Sequence, residues 1–485
     1  MIIKLDLANT FDRVRHDFLF SILGKYGFSP NLINWIKGCV SDPWIAPLVN
    51  GRPTSFFQAS RGLRQGCLLF PLLYAIQASL LSFQLNFCQY LRSLLGLRPT
   101  NNVRNINHAQ FADDTLLLGG ANTITAQHFI QELELYKDIS GNKINYHKSK
   151  IFSWNCPARE LREIARILGM GGTVDWDSFK YLGIPICKTN FKSPNWDPIL
   201  NKIKVRIQSW SANWLNLAGK VTLIKSVLNS MPIYQSSIIL APRMVILKLE
   251  KLIRNFIWEG GKGNEKKIHL IRWDKIQKPR EEGGLQIRSL TSQNLALGAK
   301  LLWQLITGKD TWSKKVLRNK YFPGTRKRCL DAFPIHKKGS PIYDLCIKSL
   351  DRFKSNLFWI PGNGKMMRVW EDSILGDTPL GHHPEVNNIK RWLIEKGATS
   401  PWDLSKWDSN NWIGWNLGDL PLGLEAEART LIDLLHGKSP LKEDSRDRRG
   451  WRNKSGCYSA SEGYNSFQAI PSAAPNPGGV EISLG

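Results

Sequence analysis

"HAQFADDTLLLGG", residues 108–120, sets two adjacent acids, Asp113 and Asp114, between an aromatic residue and a run of leucines. Residues 106–118 alternate in polarity and then become apolar, and the two acids lie where polarity interrupts the pattern. A β-hairpin with the acids at its tip satisfies both halves of this pattern. About one Asp-Asp pair is expected by chance in a chain of this length, and a solvated turn is its usual explanation.

A further acid, Asp6, lies near the end of another predicted strand. "IIKLDL", residues 2–7, alternates apolar side chains with Lys4 and Asp6, which is typical of a strand with one polar face. Nothing in this local pattern requires a charge at position 6. A helix ended by Gly27 is predicted to follow, because apolar side chains recur at helical spacing at Phe11, Val14, Phe18, Ile22 and Tyr26.

The two predicted strands would bring three carboxylates together if they are neighbours in one sheet. Asp6, Asp113 and Asp114 would then repel one another and raise one another's pKa. Hard divalent cations resolve this conflict, because Mg²⁺ binds a few carboxylate oxygens and completes its shell with water and substrate phosphates. Two such ions can activate a hydroxyl and stabilise a leaving pyrophosphate. The pattern therefore predicts a two-metal site at a sheet edge.

A basic, glycine-containing loop lies between these two segments. In "SRGLRQG", residues 60–66, Arg61, Arg64 and Gln65 offer hydrogen-bond donors beside Gly62 and Gly66. Glycines permit a close approach of the backbone to a ligand, and arginine forks bind phosphate. Such a loop is weak evidence when it stands alone, but its position between the acids favours nucleotide binding.

Composition and charge limit the class of protein. A chain of 485 residues with 42% apolar residues and 19 tryptophans predicts several folding units with buried cores. Its 66 basic and 40 acidic residues give a formal charge of +26, which favours a nucleic-acid partner over the weaker alternative of a membrane surface. The eight cysteines show no metal-ligand spacing and no signal peptide precedes them, so we expect an intracellular protein with reduced thiols.

One uncharged segment, residues 67–91, is long enough to cross a bilayer. A proline near its start and polar residues within it favour a buried helix instead; they are Pro71 and Gln77, Ser79, Ser82, Gln84 and Asn86. We therefore expect no membrane association.

The remaining pattern predicts a mixed α+β region followed by a mostly helical one. Asn50-Gly51 indicates a hairpin, Ser29-Pro30 begins a helix, and a helix over 123–139 is closed by Gly141. "KINYHKSKIF", residues 143–152, reads as one basic strand. After residue 190 the chain is predicted to be mostly helical and basic. One helical face carries apolar residues with lysines and arginines between them; its members are Ile203, Ile207, Trp210, Trp214 and Leu217. This face suits a nucleic-acid backbone or an ordinary amphipathic bundle equally well.

Five motifs, in order, resemble the palm motifs of reverse transcriptases, specifically those of plant non-LTR (LINE-type) retrotransposons. They are "KLDLANTFDRV", "SRGLRQG", "FADD", "SGNKINYHKSK" and "YLGIPI". Downstream stretches such as "RNFIWEG" and "EEGGLQIRSL" are also similar to these elements. The resemblance implies a polymerase palm, an antiparallel sheet with packed helices, over residues 1–190. A helical thumb-like region over 191–310, a mostly helical, Trp-rich region over 311–467 and a disordered tail over 468–485 are expected to follow.

The resemblance also implies roles for individual residues. Asp6, Asp113 and Asp114 would bind two catalytic Mg²⁺ ions, and Lys148 or Lys150 would protonate pyrophosphate unless both lie on a solvated strand face. Phe11 would exclude a ribose 2′-hydroxyl or serve only as a core anchor. The resemblance implies that Arg61, Arg64, Gln65 and Gly66 contact the nucleotide. It also implies that Tyr181, Leu182 and Gly183 belong to a hairpin that holds the primer end. The partners implied are an RNA template, a DNA primer and deoxynucleoside triphosphates, in the nucleus.

Two departures from the family limit these expectations. "CLLFPL", residues 67–72, replaces the usual acid and Pro-Leu-Ser-Pro after Gln65-Gly66, and only five residues precede Asp6, where the family has its fingers. Weak or no extension is therefore expected from this chain alone. The alternatives are a catalytically inactive nucleic-acid-binding relic and a membrane-anchored basic protein. The pattern does not indicate an oligomeric state.

Overall fold

The computed structural model describes residues 1–189, 191, 193–210, 215–259, 271–308, 311–321, 339–374, 378–405, 420–435, 444–453 and 455–468. The chain divides into two compact units, Met1–Thr189 and Asn190–Gly485. The predicted tail, beyond residue 468, lies outside the described residues. None of the described helices combines the length and apolar character needed to cross a membrane.

The first unit combines short strands with five helices, which confirms the predicted α+β class. Its strands are β1 (Ile2–Leu5), β2 (Leu7–Ala8), β3 (Trp44–Ile45), β4 (Leu48–Val49), β5 (Arg52–Pro53), β6 (Phe57–Gln58), β7 (His108–Phe111), β8 (Asp114–Leu118), β9 (Lys143–Ile144), β10 (Lys150–Phe152), β11 (Gly171–Thr173), β12 (Ser178–Tyr181) and β13 (Ile184–Cys187). Its helices are α1 (His16–Lys25), α2 (Pro30–Val40), α3 (Phe70–Tyr90), α4 (Thr123–Ser140) and α5 (Ala158–Leu168).

Five strands form the main sheet in the order β11-β10-β1-β8-β7. The central strand, β1, is antiparallel to both neighbours, and Ile3 lies opposite Leu117 on one side and Ile151 on the other. These side chains pack with α3, α4 and α5 in one buried core. Because successive side chains of a strand point to opposite faces, Lys4 and Asp6 lie on the other face of the sheet.

The hairpin β12–β13 contributes to a smaller core on that second face. Ile2, Leu116, Phe152 and Phe179 are buried there, and the rings of Phe152 and Phe179 stack with centroids 4.3 Å apart. One end of the second face therefore has an apolar cover, whereas Asp6 and Asp114 lie at the other end and remain partly exposed.

Several local signals predict their elements correctly. Ser29 caps α2 by accepting a hydrogen bond from the Leu32 amide at 3.3 Å, and Gly141 ends α4 in the left-handed conformation. Asn50 and Gly51 both have positive φ angles between β4 and β5, as a two-residue hairpin turn requires. The uncharged segment forms α3, whose buried side chains include Leu81 and Leu85.

Three predictions about element boundaries are wrong. Phe11 begins a separate 3₁₀ turn, Phe11–Arg13, because the Val14 carbonyl accepts a hydrogen bond from the loop amide of Gly62 at 2.8 Å. Residues 143–152 form two strands, β9 and β10, with a turn between them. The predicted helical face after residue 200 is not continuous, because one helix ends at Ser209. Trp214 lies outside the described residues.

The second unit is mostly helical. Its elements are α6 (Asp197–Ser209), α7 (Leu217–Leu223), a π-helix (Ile224–Leu228), α8 (Ile233–Ser236), α9 (Arg243–Glu259), α10 (Trp273–Gln277), α11 (Leu290–Thr307), α12 (Trp312–Tyr321), α13 (Pro341–Lys354), β14 (Leu357–Ile360), α14 (Asn387–Glu395), α15 (Pro401–Ser405), α16 (Glu425–Leu435), β15 (Arg448–Trp451) and α17 (Ala460–Gln468). Helices α11, α13 and α17 share one buried core. This core therefore joins residues on both sides of the predicted boundary at 310.

Candidate active site

Asp6 and Asp114 are neighbours at one edge of the main sheet. Leu5 is the partner of Thr115 in the antiparallel register of β1 and β8, so the next residue along β1, Asp6, faces Asp114. Both acids belong to the face of the sheet opposite the main core and are partly exposed. The structure thus brings together two of the three predicted metal ligands from positions more than a hundred residues apart.

Two lysines accompany these acids on the same face. Lys4 lies directly opposite Lys150 in the pairing of β1 with β10. Like charges placed opposite each other in a sheet are destabilising unless another charge compensates them. A face with two carboxylates at its edge and two ammonium groups beside them can accommodate both a cation and a polyanion such as a triphosphate.

The turn between β9 and β10 fixes the backbone of Asp6. The Asp6 amide donates to the hydroxyl of Ser149 at 3.0 Å, and the Asp6 carbonyl accepts from the Asn145 amide at 2.8 Å. Ser149 is only 1% exposed, and its contact with Asp6 is partly buried. Lys148 and Lys150, the two predicted basic residues, are both exposed. They lie on either side of Ser149, which accepts the hydrogen bond of the Asp6 amide.

Glu134 connects this turn to α4. Its carboxylate accepts a hydrogen bond from the Tyr146 hydroxyl at 2.6 Å and pairs with Lys137, and the Lys137 contact holds the pKa of Glu134 below its ordinary value. A carboxylate whose pKa is lowered by folding stabilises the protein at pH values above its pKa in the unfolded state, about 4.3. This stabilisation is lost as the pH falls through its pKa in the folded state.

We expect Glu134→Gln to remove this pH-dependent part of the stability. The difference between wild type and variant should shrink as the pH falls from about 4.3 through the lowered folded pKa, and at pH 7 the variant should be less stable by no more than about 1 kcal/mol, because the pair is half-exposed. Urea unfolding at pH 7 and pH 3.5 measures both differences. Glu160→Gln, at a partly exposed position of α5, is the control. An equal deficit at both pH values would contradict the role of the Glu134 charge.

Asp113 occupies the turn that joins β7 to β8. Phe111 pairs with Asp114, so Ala112 and Asp113 form a two-residue connection, and Asp113 is exposed. Ala112 has a φ of +52°, a conformation that costs about 1 to 2 kcal/mol for a residue other than glycine. The predicted hairpin with acids at its tip is confirmed, and its tip holds backbone strain of the kind that is concentrated at functional sites.

The three predicted ligands do not form a three-acid cluster in this conformation. Within the described part of the chain, no group of three or more His, Cys, Asp or Glu side chains could hold a metal ion. Asp113 lies in the turn, whereas the other two acids face each other across the strands. Carboxylate oxygens suit Mg²⁺, which binds through one or two carboxylates and takes its other ligands from water and phosphates. Asp6 and Asp114 therefore fit a magnesium ion as a pair.

Phe11 packs on a buried tyrosine and against the basic loop. Its ring stacks on that of Tyr74 with centroids 4.8 Å apart, and its carbonyl accepts a hydrogen bond from the Leu63 amide at 2.7 Å. Tyr74 is 1% exposed, and burial is the main cause that raises its pKa, with smaller contributions from the charges of Tyr136 and Asp113.

The basic loop is positioned by this contact. Gly62 has a φ of +93°, and a side chain there would meet the Asp12 carbonyl at 2.9 Å, so only glycine permits this approach. The predicted nucleotide-contacting residues are exposed and continue along the loop at Arg61, Arg64, Gln65 and Gly66. The structure therefore places the start of this loop against Phe11 and leaves its polar side chains accessible.

The hairpin predicted to hold the primer lies across the second face of the sheet. Leu182 and Gly183 form its turn with φ angles of +48° and +78°, and the Tyr181 hydroxyl donates to the Ala109 carbonyl of β7 at 3.1 Å. Burial raises the pKa of Tyr181, and the charge of Asp114 raises it further. Tyr181 therefore lies close to Asp114 at the acidic edge.

Sequence reasoning missed four residues of this site. Lys4 could have been found from the alternation of "IIKLDL", which puts it on the face of Asp6. Tyr74, Asn145 and Ser149 had no local signal, because their contacts with Phe11 and Asp6 depend on pairing between distant segments.

Comparisons with known proteins agree with this arrangement. Residues 1–186 match the family of reverse transcriptases (RNA-dependent DNA polymerases). The chain is 29% identical over 306 residues to an Arabidopsis thaliana protein named after ribonuclease H, which covers 60% of this chain and 46% of that protein. It is 24% identical over 298 residues to a 149 kDa protein of transposon TX1 of Xenopus laevis, covering 60% of this chain and 21% of the relative.

A third relative is a retrovirus-related Pol polyprotein of a type-1 retrotransposable element of Popillia japonica. It is 25% identical over 204 residues, which cover 40% of this chain and 32% of the polyprotein. The chain spans less than half the length of each of these three relatives. The matched residues include the whole main sheet, the basic loop and all but the last residue of the β12–β13 hairpin. Residues 1–186 therefore carry a reverse transcriptase domain, and the chain is similar to retrotransposon-type proteins.

Proposed function

We propose that the chain is an RNA-directed DNA polymerase of a plant non-LTR, LINE-type retrotransposon, which adds deoxynucleotides to the 3′-hydroxyl of a DNA primer along an RNA template. The observation that carries the proposal is the register of β1 between β8 and β10, which puts Asp6 opposite Asp114 and Lys4 opposite Lys150 on one face. The Arabidopsis relative supports the assignment to a plant element.

Each group of residues in the site has a role that follows from its chemistry. Asp6 and Asp114, with Asp113 in the adjoining turn, would hold Mg²⁺, which supplies activation of the primer hydroxyl and charge neutralisation when bound. Lys4 and Lys150 attract the triphosphate, and Lys148 or Lys150 donates a proton to the departing pyrophosphate. Tyr181, Leu182 and Gly183 hold the primer end. Exposed Arg61, Arg64 and Gln65, with Gly66, contact the incoming nucleotide and template.

Primer extension tests this function. A DNA primer annealed to an RNA template is incubated with the chain, deoxynucleotides and Mg²⁺, in parallel with Asp113→Ala. We expect extension that is weak, requires the RNA template and disappears in the variant. Retained binding of the primer-template without extension at any concentration of Mg²⁺ or Mn²⁺ would overturn the polymerase proposal.

A second candidate is nucleic-acid binding without synthesis. It is favoured by one observation, the absence of a three-acid metal cluster from the described residues. Both candidates require affinity for nucleic acid that falls steeply with salt, because phosphate contacts release counterions. A flat salt response would remove nucleic acid as the partner and with it both candidates.

Phe11 provides a separate test of sugar selection. We expect Phe11→Ala to increase the use of ribonucleotides relative to deoxynucleotides by about tenfold or more, because the variant removes the ring that would collide with a 2′-hydroxyl. Phe20→Ala, at a half-buried position in α1, controls for a general loss of packing. Steady-state incorporation of each nucleotide measures the ratio. If the ratio stays unchanged while stability falls, Phe11 is only a core anchor.

A further inference from the structure

A two-stranded ribbon of the first unit, residues 44–58, contains no buried residue. In this ribbon β3 pairs with β6 and β4 with β5, and the Thr54 amide donates to the Pro47 carbonyl between the two pairs at 2.9 Å. Every residue of the ribbon is exposed or half-buried. A lone two-stranded ribbon is at best marginally stable in water, so this one is expected to gain contacts from a partner.

Large apolar side chains are concentrated on this ribbon although it has no core of its own. Phe57 pairs with Ile45 on one face, and Trp44 pairs with Gln58 on the other, so aromatic rings lie on both faces. The exposed fractions are 65% for Trp44, 70% for Leu48, 58% for Val49, 67% for Phe56 and 50% for Phe57. Exposed apolar side chains that cluster in this way mark an interaction site.

The charges of this stretch favour a polyanionic partner. Residues 43–66 contain no acid and three arginines, and all three are exposed; they are Arg52, Arg61 and Arg64. The nearest acid along the chain, Asp42, precedes the stretch. Aromatic rings in a positively charged surface are the usual means of binding single-stranded nucleic acid, because bases stack on the rings and phosphates pair with the cations.

The base of the ribbon adjoins the basic loop, which contacts the nucleotide and template in the proposed function. His16 of α1 is 9% exposed and contacts both ends of the segment: its Nε2 donates to the Gly62 carbonyl at 2.8 Å, and its Nδ1 lies 3.2 Å from the Ser41 hydroxyl. The Gln58 side-chain amide donates to the Ser41 carbonyl at 2.8 Å. A nucleic-acid strand bound at the loop can therefore continue onto the ribbon.

Prolines argue against a partner that adds a β-strand to this ribbon. Pro53 lies in β5, and Pro47 lies between β3 and β4. Proline has no amide hydrogen for a further ladder, and proline at a sheet edge opposes pairing with another chain. Contacts through side chains, such as base stacking, are therefore favoured over pairing with a strand of a second copy.

We propose that the ribbon binds the unpaired part of an RNA template, with bases stacked on Trp44 and Phe56 and phosphates at Arg52 and Arg64. The inference rests on the proposed function, but it requires only that the chain binds a template and not that it extends a primer. Every base has a face that can stack, so the surface accepts any sequence.

Binding of a primer-template with a single-stranded 5′ overhang of RNA, compared with a blunt duplex of the same paired sequence, tests the proposal. We expect the overhang to raise the affinity of the full chain about tenfold or more. Trp44→Ala or Phe56→Ala should weaken overhang binding about fivefold or more and leave the blunt duplex unaffected. Trp44→Phe should keep most of the gain, because phenylalanine also stacks. Tyr90→Ala, at an aromatic position of α3 that is 81% exposed, is the matched control.

The salt dependence of overhang binding separates stacking from charge. Arg52→Gln should lower the slope of log affinity against log salt by about one, whereas Trp44→Ala should leave the slope unchanged. Wild-type overhang binding in both alanine variants would overturn the inference, and the proposed function would stand if the blunt duplex still binds. No binding of either nucleic acid by the wild type would overturn both. A dimer that Trp44→Ala dissociates, with overhang binding intact, would assign the ribbon to a second copy instead.

Discussion

Asp6→Asn is expected to lower primer extension about a thousandfold or more while the fold is retained. The substitution keeps the size of the side chain and the backbone hydrogen bonds to Asn145 and Ser149, so β1 stays in register. It removes one of the two carboxylates that face each other across β1 and β8. Loss of about 4 kcal/mol of transition-state stabilisation corresponds to a factor of about a thousand.

A measurement of metal binding distinguishes loss of the metal site from a loss of polymerase activity that has another cause. Fe²⁺ in place of Mg²⁺, with ascorbate and peroxide, produces radicals that cleave the backbone near the bound ion. We expect cleavage near residue 6 and residues 113–114 in the wild type, and its loss in Asp6→Asn. Asp175→Asn, at an exposed position of the same unit, should behave as the wild type. Undiminished cleavage in Asp6→Asn would show that the acidic pair is not the metal site.

Asp447→Ala is expected to destabilise the second unit by about 3 to 5 kcal/mol. The Asp447 side chain is 8% exposed and accepts three backbone hydrogen bonds at 2.8 Å, from Gly362 and Gly364 at Oδ1 and from Met366 at Oδ2. Its removal leaves three amide groups without their acceptor, and each charge-assisted bond contributes about 1.5 to 3 kcal/mol. The loop after β14 should then lose its conformation.

Hydrogen exchange measures this loss at the amides concerned. Protection of Gly362, Gly364 and Met366 should fall together in Asp447→Ala, with a lower unfolding midpoint of tryptophan fluorescence. Asp447→Asn should have a milder effect, because an amide oxygen can still accept the two glycine bonds. Asp444→Ala, an exposed acid in the same segment, is the control. Equal midpoints for wild type and Asp447→Ala would contradict the assignment.

Local chemistry made part of this fold predictable. The turn at Asn50-Gly51, the cap at Ser29 and the end of α4 at Gly141 each depend on residues within a few positions. The hairpin of Asp113 and Asp114 was predictable for the same reason, since polarity changes within one short stretch. The family motifs predicted the order of the elements along the chain, which no single local pattern indicates.

Long-range contacts explain what the sequence did not indicate. The basic stretch over 143–152 alternates like one strand, yet the hydrogen bonds of Asn145 and Ser149 with Asp6 require a turn there. Phe11 fits a helical period, but its bond with the Leu63 amide draws it into a separate 3₁₀ turn. In both cases partners distant in the chain outweigh a weak local preference. The role of each predicted site residue stays a prediction.

The central place of β1 has a consequence for how the domain folds. Residues 2–5 are synthesised before both of their partners, β8 at 114–118 and β10 at 150–152. At a translation rate of about 5 to 20 residues per second, β1 waits roughly 7 to 30 s for its second neighbour, β10. One edge of β1 can pair once β8 is complete, and the other stays unpaired until β10 follows; each pairing must close a loop of more than a hundred residues. The acidic edge therefore forms late, and a chain interrupted before residue 150 exposes a hydrophobic strand that is prone to aggregate.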